Sequence, residues 1–204
     1  MQRTKVTGRT SLTVLSGARP AQHPELHRPW KSADAVAAAR VFLDSCGEAR
    51  SRRIVVRELM EQLNSGDPYD RRSAAEVARL VSHRRPGVLA GYSDLLADAA
   101  AASPDEEWQA RGYLMAAAAL NAGTPAQRRR LLPTLRERLR EEERVAVRAM
   151  ALEALLVLGA RDAWIRDEAM DALAGAQRSS IPAMRMRAKK MLPVILKAQN
   201  VPKR

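Results

Sequence analysis

From residue 49 onward, apolar positions recur at spacings of three and four, and short polar breaks interrupt them at regular intervals. The first stretch sets Ile54, Val55, Leu59 and Leu63 on one helical stripe over about 49–64, and Gly66 closes it. The same pattern predicts helices near 68–83, 86–101, 104–121, 125–141, 143–158, 162–176 and 181–198. An earlier helix at 33–46 has Ser32 as its cap and Gly47 at its end. Asp67-Pro68, Ser103-Pro104 and Thr124-Pro125 each place an N-cap acceptor before a proline at the first helical position. Ser103-Pro104-Asp105-Glu106 reads as a capping box, and Gly123 and Gly159 fall where helices should stop. No window alternates with period two, so the expected fold class is all-α.

The helices also repeat as pairs. An acid precedes an arginine by five positions in Asp67/Arg72, Glu106/Arg111 and Glu143/Arg148, and Arg187 continues the column without its acid. The arginines recur every 37 to 39 residues, a period that marks stacked supersecondary units. The units read as helical hairpins at 49–84, 86–122, 124–159 and 161–198, after a leader at 1–32 and a leading helix at 33–48 and before a basic tail at 199–204. Small residues three apart (Ala75/Ala78, Ala151/Ala154) let neighbouring helices approach, and Leu80, Leu155 and Leu158 fill the layer between them.

The unit running from Leu131-Leu132-Pro133-Thr134-Leu135 through Glu143, Val147-Arg148, Ala151, Ala154-Leu155 and Leu158 resembles a HEAT repeat. The unit around Arg72 is similar, the one around Arg111 less so, and the last departs most, with Lys190 and Pro193 at its two small-residue positions. The resemblance implies a right-handed α-solenoid of about four hairpins, with Asp67, Arg72, Glu106, Arg111, Glu143 and Arg148 as a structural ladder between repeats. It implies little chemistry, because the family is diverse in function.

Charge changes the picture more than composition does. The net charge is +12, but residues 1–32 carry six Lys/Arg against Glu25, and 178–204 carry eight cations and no acid. The body between them is close to neutral, so an electrostatic partner is expected at the ends. A single cysteine, Cys46, excludes an internal disulfide and a multi-cysteine zinc site, and points to a reducing compartment. No apolar run is long enough to span a membrane. A cytoplasmic protein is the expectation, with organelle import as the alternative raised by the acid-free composition of residues 1–24.

The candidate contact residues are cationic. Arg185, Lys189, Lys190 and Lys197 lie on the last helix, and Arg128-Arg129-Arg130 occupies the opening turns of helix 125–141, where cations oppose the helix dipole. The structural account of the former is a polar cap on the last repeat; the functional account is a surface for phosphates or an acidic partner. Trp108, Trp164 and Tyr113, near Asp105, Asp162 and Asp167, suggest a narrower idea, since some HEAT-like proteins are DNA glycosylases built on such residues. His23 and His27 have metal-ligand spacing, but Pro24 interrupts it, and no cofactor or metal is expected. No nucleotide-binding glycine loop or catalytic motif occurs. The sequence therefore reads as a non-catalytic adaptor presenting its second-helix ridge to another protein. The alternative is a nucleic-acid binder that uses its basic end.

Overall fold

The computed structural model describes residues 32–47, 49–141 and 144–199. The leader, His23 and His27, Glu143 and the tail beyond residue 199 lie outside the described residues. Among the described residues there are nine α-helices and no strand: α1 (Ser32–Ser45), α2 (Ala49–Leu63), α3 (Pro68–Arg84), α4 (Ser93–Ala102), α5 (Trp108–Asn121), α6 (Pro125–Glu141), α7 (Val145–Arg161), α8 (Ala163–Gln177) and α9 (Pro182–Gln199). The fold is all-α, as the periodicity requires. No helix among the described residues is long and apolar enough to cross a membrane.

The odd-numbered helices touch in succession: α1 meets α3, α3 meets α5, α5 meets α7, and α7 meets α9. Each even-numbered helix packs against its own hairpin partner, α2 on α3, α4 on α5, α6 on α7 and α8 on α9. The leading helix α1 thus lies on α3 much as α3 lies on α5. Alanines make the odd row possible: Ala74, Ala75, Ala78, Ala117, Ala118, Ala151 and Ala154 are all buried, and their short side chains let backbones approach. Phe42, Leu59, Leu96, Met115, Leu135 and Leu155 fill the remaining space and are fully buried. Each contributes about 1.5–3 kcal/mol by leaving water.

Three local expectations are corrected. Ser103 does not cap α5; its hydroxyl donates back to the Ala99 carbonyl (2.7 Å), and a 3-10 turn at Asp105–Glu107 delays the helix to Trp108. The capping box forms one turn-region later. The Gln127 amide donates to Thr124 Oγ1 (3.2 Å), while Gln127 Oε1 accepts from the Gly123 and Thr124 amides. The helix expected from residue 86 begins at Ser93, because Pro86 is followed by Gly87 at φ +83°, a left-handed turn that glycine adopts without strain. Gly159 does not end α7, which runs on to Arg161. A Cβ at residue 159 would lie 2.7 Å from Ala169 Cβ, so this glycine is there for the close approach of α8.

Candidate partner-binding face

Arginine at the fourth position of a helix is the commonest local device in this chain. Arg52 of α2 donates to the Cys46 carbonyl (3.0 Å), and Arg71 of α3 to that of Ser65. Arg111 of α5 donates to the Ser103 carbonyl (2.6 Å), and Arg128 of α6 to those of Ala122 and Gly123 (both 3.0 Å). Arg166 of α8 donates to the Gly159 carbonyl (3.3 Å), and Arg185 of α9 to that of Ser179 (2.7 Å). The guanidinium folds backward over its own first turn and satisfies a carbonyl at or near the end of the preceding helix, where positive charge is favourable. This resolves the charges that look misplaced in the opening turns. They serve the preceding helix.

The same fork has a second arm that ties one hairpin to the next. Arg71 reaches Glu107 (Nε to Oε2, 2.9 Å), and Arg128 grips Asp162 with two nitrogens (Nη2 to Oδ1, 3.1 Å). Arg130 and Asp98 form a bidentate pair (2.9 and 2.6 Å), as do Arg136 and Glu168 (2.7 Å twice). Arg187 of α9 pairs with Glu153 of α7. These bonds hold Glu107, Asp162 and Glu168 below the usual carboxylate range. Buried polar groups join them. Asn121 is 1% exposed; its amide donates to Ser82 Oγ (2.7 Å) and its oxygen accepts from the Leu89 amide (2.9 Å).

This arrangement redistributes the residues singled out in the sequence. Arg72 and Glu106 are both exposed and line a small cleft beside Tyr69, while the inter-hairpin bridge is made one residue away on each side, by Arg71 and Glu107. A step of one residue turns a helix by about 100°, enough to move a side chain from interface to solvent. Arg111 is buried as a structural residue and bonds Asp105 (2.8 Å) within its own unit. Asp67 caps α3, accepting from the Tyr69 amide (2.7 Å). Arg148 also holds the fourth helical position, with its Nε buried and without a hydrogen-bond partner among the described residues, and Glu143 lies outside them.

The triple arginine is dispersed. Arg128 is buried against Asp162, Arg130 is engaged by Asp98, and Arg129 lies over the Trp164 ring, 5.7 Å from its centroid. Consecutive helical residues point 100° apart, so three adjacent cations meet three different neighbours. Asp105 and Asp162 are the carboxylates of two arginine pairs, and Trp108 packs against the core. Tyr113 lies under Arg79 (4.9 Å), and burial raises its phenol pKa. Cys46 is buried, and burial pushes its thiol up.

Of the candidate contact residues, those that remain exposed and uncommitted lie on α9. Lys189 and Lys190 are exposed, and neither makes an ion pair among the described residues. Lys197 belongs to the last turns of α9, beyond the side chains described. Between α7 and α9 runs a groove of about 730 Å³, lined by Ala146, Ala149 and Met150 on one side and by Ala183, Met186, Arg187 and the two lysines on the other. Met186 is 70% exposed, the most exposed large apolar side chain among the described residues. Neither this groove nor the arginine bridges were legible as such in the sequence. The run Met184-Arg185-Met186-Arg187 was the only signal, an apolar residue repeated among cations on the last helix. No family model matches the chain, and no similar curated protein or solved structure was found.

Proposed function

We propose that this chain is a non-catalytic adaptor, a HEAT-like α-solenoid that presents its odd-numbered helices to another protein. The observation that carries the reading is the α7–α9 groove, whose apolar floor ends in the exposed Met186. An apolar groove between two helices suits a protein segment better than a phosphate backbone, which would leave that floor in water. The dispersal of Arg128 and Arg130 into ion pairs favours the same choice, because it removes two cations from any phosphate-binding surface. Nucleic-acid binding through the basic end is the competing account.

Two experiments separate them. Fluorescence anisotropy with generic duplex DNA and RNA across a salt series should show only weak binding. Tight binding that falls steeply with salt would assign the chain to nucleic acid. In parallel, selection from a random peptide display library should enrich binders to the wild-type chain that are lost with Met186→Asp. Absence of any enriched peptide would remove the adaptor reading.

A further inference from the structure

The groove between α7 and α9 has a chemistry specific enough to name its occupant. Its floor is built from Ala146, Ala149 and Ala183, whose short side chains leave room for another backbone to come close. Met150 and Met186 flank that floor, and unbranched methionines adapt to differently shaped apolar anchors. The volume, about 730 Å³, accommodates several side chains rather than a single one.

Among the described residues the rim is one-signed. Lys189 and Lys190 project from α9 with no ion pair among them, no described carboxylate lines the groove, and Glu153 pairs with Arg187. A partner that buried its apolar side chains here would therefore bring its flanks against unneutralised positive charge. The two ends of the chain, outside the described residues, do not fit. Residues 1–31 carry six Lys/Arg against one acid, and residues 200–204 add only cations. Like charge opposes self-occupation from either end.

We propose that the α7–α9 groove binds an acidic amphipathic helix of another protein, with apolar anchors seated on Ala146, Ala149 and Met186 and carboxylates facing Lys189 and Lys190. The proposal rests on the adaptor reading and gives it a partner chemistry. Anchors at i, i+3, i+4 and i+7 would lie along the floor, and acids beside them would meet the lysines.

The test uses the full chain and a panel of fluorescein-labelled amphipathic helices of about 18 residues, five turns each. One set carries Glu on its polar flanks, and a matched set carries Lys. The acidic set should bind saturably and the basic set should not, with affinity falling as salt rises from about 50 to 300 mM. Lys189→Glu/Lys190→Glu should weaken the acidic peptides by about tenfold or more, mainly through slower association, and Met186→Asp should abolish binding. Both changes lie on exposed side chains, and unchanged melting curves would show that folding is intact. Arg129→Ala, outside the groove, should leave binding as it is.

Any of four results would overturn the proposal. The first is equal binding by acidic and basic peptides, or none by either. The second is displacement of the acidic peptide by duplex RNA with higher affinity. The third is self-association of the chain that Met186→Asp dissolves, which would make a second copy the occupant. If display selection enriches peptides that need Met186 but carry no acids, the adaptor reading stands and the acidic assignment falls.

Discussion

Arg128 and Asp162, 34 positions apart, clasp each other through two nitrogens and two oxygens while Arg128 also holds the carbonyls of Ala122 and Gly123. One side chain therefore ends helix α5 and joins α6 to α8. Both partners are largely buried, with side-chain exposures of 9% and 14%. Removing the guanidinium takes two donors from the Asp162 carboxylate and the one that the Gly123 carbonyl receives from Arg128, leaving Arg161 on the Ala122 carbonyl and Trp164 on Asp162. Arg128→Ala should cost about 3 kcal/mol or more. Arg130→Ala, which breaks an equally well-shaped pair in solvent, should cost far less. Denaturant titration of the two variants checks the contrast, and equal losses would refute it.

Two glycines answer differently to alanine. A Cβ on Gly159 would meet Ala169 Cβ at 2.7 Å and Arg166 Cα at 3.3 Å, atoms that move only if α7 and α8 separate. That clash should fall at the upper end of about 1–3 kcal/mol, against a helix-propensity gain of about 1 kcal/mol. Gly159→Ala is therefore expected to lower the melting temperature. Gly112 faces the Met150 side chain, whose sulfur would lie 2.5 Å from the new Cβ. Methionine can turn aside, so Gly112→Ala should leave stability nearly unchanged. It should displace Met150 in the groove instead, and weaken groove-dependent peptide binding.

Acid should unfold the protein through its bridges. Glu107, Asp162 and Glu168 have folded pKa values below their unfolded ones, each chiefly because an arginine hydrogen-bonds the carboxylate. Their stabilisation is complete above the unfolded values of about 4 and is lost as pH falls through the folded values. The melting temperature should hold from neutrality to about pH 5 and then decline steeply. Glu107→Gln should melt earlier at pH 7 and show a shallower acid decline. A wild-type profile already falling between pH 7 and 5 would place the sensitivity elsewhere.

Asn121 gives a polar counterpart to the arginine bridges. It satisfies the Leu89 amide and the Ser82 hydroxyl inside the first two hairpins. Asn121→Ala leaves both buried and should cost about 1–3 kcal/mol for each group that finds no substitute. Hydrogen exchange at the Leu89 amide should accelerate more than at amides of α8.

The helices were legible because alanine and leucine recur at the helical period and because prolines mark the starts of α3, α6 and α9. The pairing of charges was not. The expected column of Arg72, Arg111 and Arg148 follows sequence spacing, whereas the fold selects the fourth helical position, giving Arg71 in the first unit and adding Arg128 and Arg185. A three-residue turn before α5 and a three-residue turn before α4 shift the phase between units, and a regular spacing cannot carry such offsets. The Arg128–Arg130 run was misleading for a related reason. Adjacency in sequence suggests one patch, while the helix sends each residue to a different neighbour.

The junction between α6 and α8 differs in kind from the one between α4 and α6. The latter two pack directly, whereas Arg128–Asp162 and Arg136–Glu168 carry much of the connection between the former. Interleaved side chains resist shear in any solvent, whereas exposed charge pairs such as Arg136–Glu168 soften as ions screen them. The α6–α8 edge thus loosens with added salt at Arg136–Glu168, the more exposed of its two bridges, while α8 stays seated on α7 and α9, the helices that form the groove.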